Sequence, residues 1–123
     1  MTYTAGGCPA FSNGGYQGTG NSCAGQGSHG LQYQCVELVQ RCWNTWFPVS
    51  YASQMCANRP KNFCIVNNPQ NHDVYVTAAY TYGHTAIVQS ASGGYVNVVE
   101  QNGSCTGKAT YSIAGAACFL RPC

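Results

Sequence analysis

Apolar positions change their period near the middle of the chain. From Gln34 to Phe47, Val36, Val39, Trp43 and Trp46 recur at three- and four-residue steps, a spacing that lines one face of a helix. Glu37 and Arg41 stand on another face, one helical turn apart, where opposite charges pair. Pro48 ends this helix, since proline has no N–H to donate. Residues 50–59 predict a short second helix, capped by Ser50 or Ser53 and stopped before Pro60. Beyond it the pattern turns to short runs rich in Val, Ile, Tyr and Thr, at 73–77, 84–90, 94–100, 108–113 and 116–121. Each is bounded by Gly, Ser or Asn, the signature of strands joined by turns. Ala91-Ser92-Gly93-Gly94 predicts a hairpin turn between two of them. Residues 1–30 are rich in Gly, Ser, Asn and Gln and predict an irregular segment, tied down by disulfides. One helix followed by an antiparallel meander makes a single α+β domain over residues 1–123, with the helix packed on the sheet.

Composition narrows the possible functions. Only 7% of residues are charged, against about 25% in typical domains. A net charge of +2 without a basic cluster is too little for the phosphate contacts of a nucleic-acid-binding protein. The apolar runs are too short to span a bilayer as a helix. The nine cysteines are the strongest signal. At this density they predict a disulfide framework built in an oxidising compartment, hence a secreted protein. There is no Cys-x-x-Cys pair, and no histidine stands at ligand spacing from a cysteine pair, so no metal or other cofactor is expected. The chain opens Met1-Thr2-Tyr3 without a basic or apolar leader. Either Met1 is an added initiator on a mature, exported sequence, or the start is native and export needs no cleaved signal. An odd cysteine count leaves at least one thiol unbridged in a monomer.

That thiol is the first candidate for chemistry. Cys35 opens the predicted helix and Cys42 lies two turns along it. At ~1.5 Å per residue they are ~10 Å apart, too far to bond to each other. The positive end of the helix dipole favours a thiolate at Cys35. With Cys35 free, Cys8, Cys23, Cys42, Cys56, Cys64, Cys105, Cys118 and Cys123 remain for four disulfides; the alternative is that Cys35 is bridged and another thiol is free. A nucleophilic thiol needs a base and an orienter for that base. His29 lies in the Gly-rich segment, His72 in a turn, and His84 at the mouth of an apolar strand. Folding the hairpin about a three-residue loop at Ala91–Gly93 sets His84 opposite Glu100, on one face. A two- or four-residue loop brings Gln101 there instead, and a bulge restores the contact. A carboxylate beside an imidazole holds the working tautomer.

These residues carry a resemblance. Gln34-Cys35-Val36-Glu37-Leu38-Val39-Gln40-Arg41, after Gly30-Leu31-Gln32-Tyr33, resembles the nucleophile segment of the CHAP family, the NlpC-like cysteine- and histidine-dependent amidohydrolases and peptidases. Gly83-His84-Thr85-Ala86-Ile87-Val88 is similar to the family's histidine strand, and Glu100-Gln101-Asn102 to its Glu-x-Asn segment. Asn71-His72-Asp73-Val74 stands where relatives have Gly-Asp before a strand. The resemblance implies a papain-like fold, with Cys35 as nucleophile, His84 as base and then acid, and Glu100 as orienter. It also implies that the Cys35 backbone N–H and the Gln34 amide hold the oxyanion, with Asn102 as a polar partner.

The substrate implied is an amide or peptide bond in the peptide stems of bacterial peptidoglycan, cut through a thioester. A small-molecule amidase of the glutathionylspermidine type is a second enzyme reading, disfavoured because that substrate is cytosolic. A disulfide-rich binding or defence protein with Cys35 bridged is the non-enzyme alternative. Some relatives carry an acidic calcium loop ahead of the nucleophile, but residues 1–34 contain no Asp or Glu, which excludes a carboxylate-built site there.

Overall fold

The computed structural model describes residues 2–4, 6–10, 26–27, 30–31, 35–101 and 107–123. Four two-residue strands come first: β1 (Thr2–Tyr3), β2 (Pro9–Ala10), β3 (Gln26–Gly27) and β4 (Gly30–Leu31). They pair antiparallel as β1–β2 and β3–β4. The N-terminal stretch, predicted irregular, thus contains two small ladders among its described residues. Cys8, just ahead of β2, is disulfide-bonded to Cys42.

Helix α1 runs from Cys35 to Trp43, shorter than the predicted span. Asn44, not Pro48, ends it. Asn44 takes a left-handed φ of 49°, a conformation asparagine tolerates and helices use to stop. Thr45 N–H then donates to Gln40 O at 3.0 Å, and Phe47 N–H donates to the Gln40 side-chain oxygen at 2.7 Å. These bonds turn the chain back, and Phe47 becomes fully buried. Trp46, placed by periodicity on the helical core face, lies past the helix and is 59% exposed. The predicted second helix contracts to a 3-10 turn at Ala52–Gln54.

Six strands form one antiparallel sheet: β5 (Phe63–Val66), β6 (Val74–Thr77), β7 (His84–Ser92), β8 (Tyr95–Val99), β9 (Lys108–Ser112) and β10 (Cys118–Pro122). Their spatial order is β5-β10-β6-β7-β8-β9. All five predicted strands are present within a few residues of their expected limits. Strand β5 is the addition: it is a short strand that, among the described residues, lies at the sheet edge and pairs with β10.

Alternation along the strands divides the core. One face carries Val74, Val76, Ile87, Val99 and Leu120, packed against Leu38 and Val39 of α1 and against Phe47, Met55 and Phe63. The other carries Tyr75, Ala86, Val88, Val96, Val98 and Phe119. The Tyr75 and Tyr111 rings stack at 5.0 Å although β6 and β9 are separated by β7 and β8. Three strand spacings in a flat sheet are about 14 Å, so the sheet curls around this second face. Disulfides Cys56–Cys118 and Cys64–Cys123 bind β10 to the preceding loop and to β5. Arg121 adds a bidentate pair, its Nε and Nη2 donating to the two Asp73 carboxylate oxygens at 2.7 Å each.

Candidate active site

Local backbone chemistry delivers His84. Thr77, the last residue of β6, is its strand partner. Between them, Gly83 turns the chain with a φ of +72°, and a side chain there would meet Ser53 N and Thr77 O at 2.6 Å. Only glycine fits both the dihedral and the space. The neighbouring Tyr82 O accepts from Ser53 N–H at 3.1 Å, and the Tyr82 ring stacks on Tyr51 at 4.7 Å. The 3-10 turn is therefore clamped to the start of β7, and the first residue of that strand is held in place.

The hairpin after His84 differs from the expected one. Ser92 pairs with Tyr95, so the loop has two residues, Gly93 and Gly94, with φ of 58° and 84°. Positive φ at both positions matches the twist of the strands better than a three-residue loop does. A register shift between Val88 and Ser90 then moves the pairing by one, and the ladder ends at Ile87↔Val99. One further step would set Ala86, not His84, against Glu100. His84 shares a face with Ala86, two residues along, and such diagonal neighbours remain within reach of long side chains. The contact expected from a wrong register is thus made through a bulged one. The His84 Nε2–H donates to Glu100 Oε1 at 2.9 Å, with both groups buried.

Cys35 is the first residue of α1, half-buried, and the one free cysteine among the described residues. Its thiol lies beside the His84 imidazole and acts on its charge. Burial of the ring opposes its charge, but the hydrogen bonds to Cys35 and Glu100, and attraction to the same two groups, hold the imidazole up to about 9. With Nε2 committed to Glu100, Nδ1 is the nitrogen left for the thiol. A thiol, an imidazole and a carboxylate thus come together in one place, the residue types that nucleophilic catalysis by cysteine uses.

Two contacts around Glu100 were not expected from the sequence. The Tyr111 hydroxyl donates to Glu100 Oε1 at 2.6 Å. Gln101, fully buried, donates through Nε2 to Glu37 Oε1 at 3.0 Å and accepts from Arg41 Nη2 at 2.8 Å. The expected Glu37–Arg41 pair is present at 2.8 Å. It is buried on the Glu37 side, and through Gln101 it ties α1 to the residue beside Glu100. Arg41 also donates to Cys8 Sγ at 3.3 Å.

The other sequence candidates fall elsewhere. His72 lies against Trp43, ring centroids 6.4 Å apart, at the end of α1 opposite to Cys35. Gln34, Asn102, Cys23, Cys105 and His29 lie outside the described residues. Among the described residues no three His, Cys, Asp or Glu side chains converge as metal ligands, and no helix is long and apolar enough to cross a membrane.

No curated protein matches the chain. Among solved structures, "The crystal structure of Ly7917" matches with a TM-score of 0.54 at 18% sequence identity. That match covers 72% of this chain and 53% of the other, so the chain spans about half of that protein's length. At this identity the likeness shows the fold alone. The family comparison is more specific: the CHAP domain model matches residues 25–102, well over half of the chain, and takes in the free thiol, the buried imidazole and the carboxylate that lines up with them. This chain belongs to the CHAP family.

Proposed function

We propose that the protein is a secreted cysteine hydrolase that cuts amide or peptide bonds in bacterial peptidoglycan. The observation that carries this reading is the series Cys35, His84 and Glu100, with the thiol unbridged and the imidazole buried between its partners. Cys35 Sγ attacks the carbonyl carbon of the scissile amide while His84 takes the thiol proton. The tetrahedral oxyanion is held by the Cys35 backbone N–H and the Gln34 amide. Collapse breaks the C–N bond, and His84 gives its proton to the leaving amine, leaving a thioester on Cys35. Water then adds to the thioester with His84 again taking the proton. The carboxylic acid leaves and the thiol is restored. Glu100 holds the His84 tautomer throughout, and Asn102 is a polar partner at the site.

The unbridged Cys35 disfavours the purely binding alternative, which needs that residue in a disulfide. Three disulfides among the described residues favour an oxidising compartment, and with it an extracellular wall substrate over a cytosolic one. Incubation with purified peptidoglycan, and separately with glutathionylspermidine, tests the substrate. Mass spectrometry of the products is expected to show new termini in the stem peptides of peptidoglycan and intact glutathionylspermidine. The reverse pattern overturns the substrate assignment.

A further inference from the structure

Tyr111 is not among the three groups on which the proposed chemistry rests, yet it shares an atom with them. Its hydroxyl and the His84 Nε2–H both donate to one oxygen, Glu100 Oε1, at 2.6 and 2.9 Å. We propose that Tyr111 is a positioning residue that fixes the Glu100 carboxylate and draws charge from the oxygen facing His84. This rests on the cysteine-hydrolase reading and adds a residue to it.

Geometry carries the case. A carboxylate oxygen offers two lone pairs, and among the described residues two donors converge on Oε1. Glu100 is 1% exposed, so a lost donor is not readily replaced by bulk water. The phenol is itself immobilised. It lies flat on Tyr75, centroids 5.0 Å apart and planes 5° from parallel, and meets the His84 ring at 73° with centroids 6.1 Å apart. Turning the hydroxyl away from Glu100 would break that stack. Burial, then the contact with Glu100, raises the Tyr111 pKa, with Tyr80 and Tyr75 adding to the effect, so the hydroxyl stays a donor wherever the enzyme works. Among the described residues, Cys35 and Glu100 are the groups that raise the His84 pKa.

Removing the hydroxyl therefore has two consequences of known sign. Oε1 then loses one of its donors and turns more of its charge on His84, which raises the imidazole's titration midpoint. The carboxylate also gains freedom to rotate, which slows the chemical step without weakening substrate binding.

The test is Tyr111→Phe, which keeps the ring and its stack, followed by NMR titration of the His84 imidazole in the full chain. The midpoint is expected to rise by roughly 0.5 unit, a fraction of what a hydrogen bond to a charged group is worth. With peptidoglycan, kcat is expected to fall about tenfold with KM nearly unchanged. In a Glu100→Gln background the same substitution should move neither quantity further. An unmoved midpoint, or an equal loss of kcat in both backgrounds, overturns the proposal and leaves Tyr111 a packing residue. If Tyr111→Phe does not fold, fluorotyrosine placed at position 111 keeps the ring and makes a stronger donor. It should lower the midpoint, and a rise or no change overturns the proposal equally. The titration needs no substrate, so inactivity on peptidoglycan with a shifted midpoint refutes the hydrolase reading and not the role of Tyr111.

Discussion

His84 lies between two groups of opposite duty, and their separate removal should give losses in a fixed order. Cys35→Ala removes the proposed nucleophile, but no bridge depends on this thiol; turnover should vanish while the melting temperature holds. His84→Ala removes the proposed proton carrier and should cost on the order of 10²–10⁴-fold in kcat. Combining it with Cys35→Ala should be scarcely worse than either change alone. Glu100→Gln keeps an acceptor and loses the charge, so its loss should be smaller than that of His84→Ala. Wild-type turnover in His84→Ala would show that the thiol's partner is elsewhere. The pH dependence follows from the imidazole, which is raised from 6.5 to about 9 despite its burial. A folded pKa above the unfolded one contributes stability that is complete below 6.5 and is lost as pH rises through about 9. Urea unfolding of wild type should therefore weaken over that window more than unfolding of His84→Ala. In the proposed mechanism the leaving amine takes the same proton, so kcat/KM should fall as pH passes about 9. A limb that persists in Glu100→Gln without any displacement would count against this origin.

Among the elements, Gly83 is the most exacting single position. Gly83→Ala must place a Cβ 2.6 Å from Ser53 N and Thr77 O at a φ of +72°, so the start of β7 has to shift. Melting temperature and kcat should both drop, while the more permissive Gly93→Ala, whose Cβ meets nothing within 4 Å, should change kcat little. Equal effects at the two glycines would mean that the clamp on His84 is unimportant. The strands were legible because Val, Ile and Tyr runs between turn residues name a sheet without tertiary help. The end of α1 was not. Asn44 and the Gln40 side chain stop the helix before Pro48 is reached, and such capping depends on which way the chain must turn. Strand β5 was missed because four residues at an edge, beside Pro60, acquire strand character only by pairing with β10. The hairpin register was misread because two glycines at positive φ permit the tighter loop, and the compensating bulge at 88–90 has no mark in the sequence.

Across the whole molecule, the cysteines do what charge and a large core do elsewhere. Among the described residues, three disulfides close loops with separations of 34, 62 and 59 residues, each worth about 2–4 kcal/mol by the loop-entropy argument. Cys23 and Cys105 lie outside the described residues, and the cysteine arithmetic leaves them for a fourth bridge. Intact mass under non-reducing conditions should show eight hydrogens lost and a single alkylation at Cys35; six lost, with three thiols alkylated, would leave that bridge unmade. The thiol, the imidazole and the carboxylate could be picked out from the sequence because each sits at a recognisable place: a helix start, a strand mouth and a strand end. Tyr111 and Gln101 could not, since both reach the site through long-range folding, one from β9 across the curled sheet and the other onto Glu37 of the helix. The most direct test of the account is digestion of purified peptidoglycan by wild type and Cys35→Ala in parallel, with new termini identified by mass spectrometry. The account predicts new amine and carboxyl termini at one kind of amide bond with wild type and none with Cys35→Ala. The same termini from both proteins, or none from either, would contradict it.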